Sequence, residues 1–295
     1  MKNILYIICL LVVIIGCKKN NLDALAFPLE KTDAYLLEDY EGEIVVPDSY
    51  KIPEEKIHLF TINSIDSETG ETFKIYTVYI GDMLTIATDS VILYAHGQSK
   101  HIDNYWSRAK LLANIASKNN YGVLMMDYRG YGMSEGEPSE HGLYDDVDAC
   151  INWLSSQGVN EKNTIYYGYS LGCIPLIHHA AYKTDFQPSK LIIESPLASV
   201  ENLANSSTLI NVDPKFISTL EFNNAEKIKS VNTPLLWLHG VEDTYIEISN
   251  GQLIYDNHDG AYKEAHKVPN SDHTEVPETL GFENYLQILE TFIQK

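Results

Sequence analysis

Short apolar segments recur along the chain and alternate with segments whose apolar residues follow a helical spacing. Residues 57–62 and 73–80 are rich in β-branched and aromatic side chains. The turn between them carries Gly70, so they predict an antiparallel pair of strands. From residue 91 onward, strand-like and helix-like segments alternate, which is typical of a parallel sheet covered by helices on both faces. The further predicted strands are 91–94, 122–126, 164–167, 190–194, 234–238 and 262–268, and the predicted helices are 105–118, 143–155, 251–255 and 282–293.

A strand-to-helix junction near the middle of the chain carries the strongest chemical signal. The G-x-S-x-G segment 168–172 lies between the apolar strand 164–167 and a helix-forming run, residues 173–180. Flanking glycines permit a sharp turn that presents Ser170 at the N-terminus of a helix, where free N–H groups favour a developing oxyanion. We therefore predict that Ser170 is a nucleophile.

A second G-x-S-x-G segment, residues 132–136, lies in a different context. The preceding run 128–132 is rich in turn formers, so no strand leads directly into the motif. The Gly-Glu-Pro sequence at 136–138 would break a following helix. We predict that Ser134 has a structural role.

The first residues have the pattern of an export signal. Lys2 precedes the apolar run 4–15, which suits a secretory signal and is shorter than the about 20 residues of a membrane-spanning helix. The residues ending at Cys17 resemble a bacterial lipobox. We predict a signal peptide over 1–16, lipidation of Cys17, and an exported lipoprotein anchored in a membrane and facing the periplasm or the cell surface. An ordinary signal peptide and an uncleaved anchor are the alternatives. The acidic, turn-rich residues that follow, up to residue 56, predict a tether and an irregular lead-in.

Composition excludes some partners and cofactors. The 295-residue chain has a formal net charge of -20, so it repels the phosphates of nucleic acids, and we predict no nucleic-acid partner. Cys150 and Cys173 lie in apolar helical patterns, which favours buried thiols, although an exported protein permits a disulfide. Neither has a Cys or His partner at metal-ligand spacing, so we predict no metal and no other cofactor.

A serine nucleophile needs a base, and the base needs an orienting acid. In open α/β sheets such groups collect beyond the carboxyl ends of the strands. Asp243 follows the predicted strand 234–238, and His273 follows the predicted strand 262–268. The chain order Ser, Asp, His is that of nucleophile-elbow hydrolases. We predict Ser170 as the nucleophile, Asp243 as the acid and His273 as the base.

Other side chains compete for these roles. Glu242 is the alternative acid, although successive residues point in opposite directions from Asp243. His258, in a polar loop, and His266, inside the last strand, are the alternative bases. Four further histidines are expected to pack, to brace turns or to lie on the surface: His96, His178, His179 and His239.

Stabilisation of the oxyanion requires two backbone donors. The N–H of Leu171, directly after the nucleophile, is predicted to be one of them. The other should come from the loop after strand 91–94, where we choose Gln98, with Gly97 as the alternative.

These residues resemble the α/β-hydrolase fold family over roughly 57–294. Residues 127–138 and 140–146, together with 239–243 and 249–255, are similar to a small-cap, serine-aminopeptidase-like branch. That branch includes membrane-associated eukaryotic hydrolases and protein depalmitoylases. The resemblance is specific for the branch and not for a substrate.

Two positions depart from the family pattern. The loop after Gly97 continues as Gln-Ser-Lys-His at 98–101, where small or amide residues are usual, so the oxyanion loop is expected to differ in shape. The residue before His273 is Asp272, where glycine is usual. Asp272 either favours the charged form of the histidine or faces solvent, and the sequence leaves both open.

The predicted chemistry is acyl transfer through a serine intermediate. We expect a serine hydrolase that cleaves a carboxylic ester or thioester of a small-molecule or acylated substrate. Its α/β-hydrolase domain spans 57–295, and a short helical cap at about 197–230 favours an open pocket. A catalytically silent binding lipoprotein, an acyltransferase and a peptidase are the alternatives.

Overall fold

A computed structural model describes residues 27–116, 121–202 and 220–295. Its eight strands are β1 (Ile57–Ile65), β2 (Thr72–Ile80), β3 (Val91–Ala95), β4 (Gly122–Met126), β5 (Thr164–Tyr169), β6 (Lys190–Glu194), β7 (Leu235–Gly240) and β8 (Lys263–Val268). They form one sheet in the order β1-β2-β4-β3-β5-β6-β7-β8. β1 pairs antiparallel with β2, and β2 antiparallel with β4, whereas all pairs from β4 to β8 are parallel. The predicted α/β fold with a mostly parallel sheet is confirmed.

Helices cover both faces of the sheet. Those that lie wholly within the described residues are α1 (Ile102–Ala113), α2 (Glu140–Ser156), α3 (Cys173–Tyr182), α4 (Asn224–Lys227), α5 (Ile248–Asn257), α6 (Val276–Leu280) and α7 (Phe282–Ile293). Leu93 and Ile193 pack on one face with α2, α3 and α5, while Ile92 and Ile192 pack on the other with α1 and α7. Because both faces are buried, these strands are apolar at successive positions rather than at alternate ones.

Helices α1, α2 and α5 begin three residues before their predicted starts, and one further helix was not predicted. Helix α1, predicted over 105–118, begins at Ile102, whose N–H donates to Asp127 Oδ1 at 2.8 Å. This cap comes from a distant strand end, so no local sequence pattern indicates it. Helix α6 was not predicted; Pro277 lies in its first turn, where a missing N–H is tolerated.

Residues 27–56 lie against the domain. They contain three short 3-10 turns, and Phe27, Ile44 and Ile52 are buried in the two apolar cores. The Tyr35 hydroxyl donates to Asp127 Oδ2 at 2.5 Å. From Phe27 onward the lead-in is irregular in backbone and is packed against the domain.

Several predictions fall outside the described residues. The predicted signal peptide 1–16, the lipidation site Cys17 and residues 203–219 of the predicted cap are among them. The described part of the cap contains α4 and the 3-10 turn Ile228–Ser230. Over the three described ranges, no helix has both the length and the apolar character to cross a bilayer.

Candidate active site

Ser170 occupies a sharp turn between β5 and α3. It begins a one-turn 3-10 helix, Ser170–Gly172, and its φ of 52° lies in the left-handed region that non-glycine residues rarely adopt. A Cβ at Gly172 would collide with the carbonyl oxygen of Ala95. A Cβ at Gly168 would lie 2.8 Å from the Cα of Cys173, at the start of α3. The close approach of strand and helix therefore requires glycine on both sides of the serine.

Asp243 and His273 follow β7 and β8 and meet Ser170 at the carboxyl edge of the sheet. His273 Nδ1 lies 2.7 Å from Asp243 Oδ2, and His273 Nε2 lies 3.0 Å from Ser170 Oγ. Because a carboxylate only accepts, Nδ1 carries the proton and the Nε2 lone pair faces the serine hydroxyl. The three side chains singled out by the sequence thus form one hydrogen-bonded chain.

The Asp243 carboxylate is buried and receives several donors. Its Oδ1 accepts the N–H groups of Tyr245 at 2.9 Å and Ile246 at 2.7 Å, and its Oδ2 lies 3.1 Å from His239 Nε2. Burial opposes ionisation, but the hydrogen bonds from His239, His273 and Ile246 outweigh it and hold the pKa of Asp243 well below its usual range. Asp243 is therefore an anion throughout the neutral range.

The buried side chain of His239 contacts the Asp243 carboxylate. Its Nδ1 accepts from Trp237 Nε1 at 3.2 Å, and since an indole nitrogen only donates, the ring proton lies on Nε2. That Nε2–H faces both the carbonyl of Ile246, at 2.9 Å, and Asp243. The ring braces the turn after β7, as predicted.

The rival acid and bases lie in other environments. Glu242 Oε2 accepts from the N–H of Ser271 at 3.2 Å and does not contact His273 in the hydrogen bonds of the described residues. His258 is buried and bonds to the carbonyl of Thr233 at 2.9 Å. His266 lies on the edge strand β8, with Nε2 3.9 Å from Glu264.

The remaining histidines pack against aromatic or acidic neighbours. His96 stacks on Tyr105, with ring centroids 4.5 Å apart. His178 stacks on Tyr144 at 3.6 Å. His179 Nε2 lies 3.6 Å from Asp148. None of the three is among the described residues that line the cavity at Ser170.

Ser134 is buried away from this site. Its hydroxyl donates to the carbonyl of Asp127 at 2.7 Å and accepts from the N–H of Tyr76 at 2.9 Å. Both capacities of the hydroxyl are used within the fold, so the structural role predicted for Ser134 fits its contacts.

A cavity of about 490 Å³ opens at Ser170 and His273. Gly97 and Gln98 line it, and Ser99 and Lys100 after them have positive φ values of 61° and 59°. The Gln98 side chain donates to the hydroxyl of Tyr245 across the cavity. Leu171 follows Ser170 in the same tight turn, and the use of its N–H and that of Gln98 as oxyanion donors stays a prediction.

A buried network of charged side chains, which was not predicted from the sequence, lies next to the triad. Arg108 NH1 lies 2.5 Å from Glu194, and its Nε lies 2.8 Å from Glu43. The guanidinium carbon lies 4.2 Å from the centre of the Tyr169 ring, and NH2 donates to the carbonyl of Thr274 at 3.3 Å. Burial opposes the charge of Arg108, but the two carboxylates outweigh it and raise the pKa of the guanidinium well above its usual value.

One signal could have indicated this network. Arg108 falls at helical spacing with Tyr105 and Leu112, on the apolar face of a helix where a charge requires a partner. The partner Glu43 had no signal, because it comes from an irregular segment. Glu43 also lines the cavity at Ser170.

The described residues include two cysteines. Cys150 and Cys173 are buried free thiols, as predicted. Within the described ranges, no group of three or more His, Cys, Asp or Glu side chains is arranged to hold a metal ion.

Solved structures share this architecture. The chain resembles an esterase of Pyrococcus furiosus, Pf2001, with a TM-score of 0.63 and 15% identity over 86% of this chain and 97% of that one. The chain has the α/β-hydrolase fold. Another structure with this fold, Est1E from Butyrivibrio proteoclasticus with bound ferulic acid, gives a TM-score of 0.62 and 16% identity over 78% of this chain and 97% of that one.

Sequence comparisons point to the same fold. Residues 87–225 match the family model described as serine aminopeptidase, S33. The mouse alpha/beta hydrolase domain-containing protein 17C is 31% identical over 203 residues, 68% of this chain and 59% of that protein. A putative alpha/beta hydrolase of Acanthamoeba polyphaga mimivirus, L404, is 27% identical over 203 residues, 68% of this chain and 73% of that protein. The chain thus spans under two thirds of the length of the mouse relative.

Proposed function

We propose that the protein is a serine hydrolase that cleaves a carboxylic ester or thioester through an acyl-enzyme intermediate. The observation that carries the proposal is the hydrogen-bonded chain from Ser170 through His273 to the buried anion of Asp243. Its position at the carboxyl ends of the parallel strands is where ligands bind in sheets of this kind.

In the first half of the reaction, Ser170 Oγ attacks the acyl carbon while His273 Nε2 takes the hydroxyl proton. Asp243 holds the imidazole by its Nδ1–H and stabilises the cation that forms. The tetrahedral intermediate collapses with loss of the alcohol or thiol, to which Nε2 returns the proton.

In the second half, water replaces the leaving group. His273 takes a proton from the water as it attacks the acyl carbon, and it returns that proton to Ser170 Oγ as the intermediate collapses and releases the acid. Backbone N–H groups of Leu171 and Gln98 would bind the oxyanion in both halves. Loss of one such donor typically lowers kcat about 10²–10³-fold.

The structural neighbours and the lining of the cavity both favour an ester substrate. Solved esterases share the fold, and the cavity at Ser170 combines aromatic side chains with polar ones, which suits a small-molecule or acylated substrate. We further propose that Cys17 carries a lipid anchor and that the exported protein acts at a membrane surface. That proposal rests on the lipobox-like sequence alone, and metabolic labelling with a fatty-acid analogue, lost in Cys17→Ala, tests it.

The test of hydrolysis uses residues 18–295 and a fluorophosphonate probe, which reacts with activated serines. We expect labelling at Ser170, mapped by mass spectrometry, and hydrolysis of p-nitrophenyl acetate. Ser170→Ala and His273→Ala should lose both signals while remaining folded. Ser134→Ala is the matched control and should keep most of the activity, because its hydroxyl serves only the fold.

Two outcomes would count against the proposal. Absence of both labelling and turnover in folded protein favours a silent binding lipoprotein. Labelling at Ser170 with transfer of the acyl group to an added alcohol or amine in preference to water would identify an acyltransferase.

A further inference from the structure

Two loops carry the acid and the base of the proposed triad. The acid loop (residues 241–246) follows β7 and contains Asp243, and the base loop (residues 269–275) follows β8 and contains His273. The base loop contains no residue of a strand or helix, so its backbone lacks ladder hydrogen bonds. Side chains outside the acid loop donate to the carbonyl groups of His273 and Thr274. The distance from Asp243 to His273 depends in addition on what joins the two loops.

Asp272 forms one side of that junction. Its Oδ1 accepts the N–H of Thr244 at 2.9 Å and the N–H of His273 at 2.8 Å. The Thr244 hydroxyl lies 3.2 Å from both carboxylate oxygens. One carboxylate thus binds the residue after the acid and the residue that is the base.

Glu242 and Ser271 form the other side. The N–H of Glu242 donates to the carbonyl of Ser271 at 3.1 Å, and the N–H of Ser271 donates to Glu242 Oε2 at 3.2 Å. Each neighbour of Asp243 is therefore bonded to one of the two residues that precede His273. The distance between Asp243 and His273 is thus constrained on both sides, by the Asp272 and Glu242 carboxylates and by one backbone hydrogen bond.

We propose that Asp272 is a positioning residue that joins the base loop to the acid loop and so holds His273 in reach of both Asp243 and Ser170. This inference rests on the proposed function. Hydrogen bonds to a carboxylate are shorter and stronger than neutral ones, which suits a joint between two loops. A misplacement of about 1 Å at a catalytic group lowers the rate roughly 10²-fold, so a loose base loop is costly.

The ionisation of Asp272 agrees with this role. The N–H of Thr244 is the main cause that lowers the pKa of Asp272, with further contributions from the N–H of His273 and the Thr244 hydroxyl. Its carboxylate is thus charged where a serine hydrolase works. A purely electrostatic effect of that charge on His273 is the competing explanation.

The experiment compares Asp272→Asn with Asp272→Glu. Asparagine keeps an acceptor oxygen at the same distance from the backbone and removes the charge, whereas glutamate keeps the charge and displaces the oxygens. Positioning predicts kcat for p-nitrophenyl acetate within about threefold of wild type in Asp272→Asn, but at least tenfold lower in Asp272→Glu, with KM nearly unchanged in both. Asp256→Ala, an exposed carboxylate on α5, is the matched control.

Two readouts separate the explanations. The acid limb of the kcat/KM profile reports charge around His273, which faces Asp243, Glu43, Asp272, Tyr169 and Tyr245. Positioning predicts that the plateau rate above this limb stays within about threefold of wild type in Asp272→Asn, wherever the midpoint lies. The low-field proton resonance of the His273 Nδ1–H, which needs no substrate, should be retained in Asp272→Asn and lost or broadened in Asp272→Glu.

Contrary results would overturn the proposal. A rate and resonance like wild type in Asp272→Glu would remove the positioning role. A slow Asp272→Asn with a shifted acid limb would assign the effect to charge. If wild-type protein does not turn over ester, the proposed function fails, whereas the resonance still decides whether Asp272 positions His273.

Discussion

Asp243 is a buried carboxylate that the proposed mechanism requires in its charged form. It is buried, and it is ionised because the hydrogen bonds from His239, His273 and Ile246 outweigh the cost of burial. The same bonds link the ionisation of Asp243 to the stability of the fold. Activity and acid stability should therefore both respond to a change at this carboxylate.

We predict that Asp243→Asn lowers kcat roughly 10³–10⁴-fold, because an amide does not select the tautomer in which Nε2 faces the serine. The folded pKa of Asp243 lies below its unfolded value of about 3.9, so its stabilising contribution is complete above about pH 4 and is lost as the pH falls further. The advantage of wild type over Asp243→Asn in unfolding free energy should shrink by on the order of 2 kcal/mol on acidification.

Urea unfolding of both proteins from pH 6 to pH 2.5 measures this difference. A gap that stays constant with pH would mean that Asp243 has an ordinary pKa in the folded protein. Glu247→Gln, at an exposed carboxylate directly before α5, serves as the control for the removal of a carboxylate.

Single residues of the site differ in how far the sequence indicates them. Ser170, Asp243 and His273 each follow a predicted strand of the parallel sheet, and parallel strands end at the same edge, so their meeting could be predicted from chain order. Asp272 had two open interpretations, because its partner Thr244 lies 28 positions earlier and no local pattern joins them. Long-range bonds of this kind are set by the packing of β7 beside β8.

At the scale of elements, helix α1 joins the lead-in to the sheet through Arg108. The guanidinium is buried between Glu43 and Glu194 and stacks over Tyr169, the residue before the nucleophile. It also reaches the carbonyl of Thr274, the residue after the base. One side chain therefore contacts the neighbours of both reacting groups.

We predict that Arg108→Ala lowers the free energy of unfolding by about 3–5 kcal/mol, because two carboxylates lose their buried partner. Arg108→Lys should recover part of the loss, since lysine keeps the charge but not the planar fork. Urea denaturation gives both values, and the fluorophosphonate labelling rate should fall in parallel with stability.

The exposed pair Lys229 and Glu226 provides the control. Its atoms lie 2.7 Å apart, with side chains 46% and 61% exposed, so Lys229→Ala should cost under about 1 kcal/mol. Equal losses in Lys229→Ala and Arg108→Ala would contradict the assignment of a stabilising network to Arg108.

Elements could be predicted from the sequence where apolar periodicity decides their formation. Strands β4 and β6 and helix α7 have the predicted bounds, because the two strands place successive apolar residues in both cores and α7 buries one apolar face. The start of α1 was predicted three residues late, since Asp127 caps it from another strand end. Local patterns therefore give the elements, and tertiary hydrogen bonds set some of their ends.

At the scale of the whole molecule, residues 27–56 act as part of the domain. Asp103 accepts the N–H groups of Leu36 and Leu37 at 2.8–3.0 Å, and Glu43 reaches Arg108 under the site. No sequence pattern indicates this packing, because the segment lacks a strand or helix period and its contacts lie far along the chain.

We predict that a chain beginning at residue 57 is markedly less stable than one beginning at residue 27. It loses the burial of Ile44 and Ile52, worth roughly 1.5–3 kcal/mol each, and leaves Arg108 with one carboxylate instead of two. Thermal melting of the two proteins measures the difference, and the labelling rate at Ser170 shows whether the site is affected as well. Equal melting temperatures would mean that the lead-in adds only surface contacts, whereas a lower melting temperature with normal labelling would confine its role to stability. We expect both to fall, because the segment that supplies Glu43 to the buried network also lines the cavity in which the serine lies.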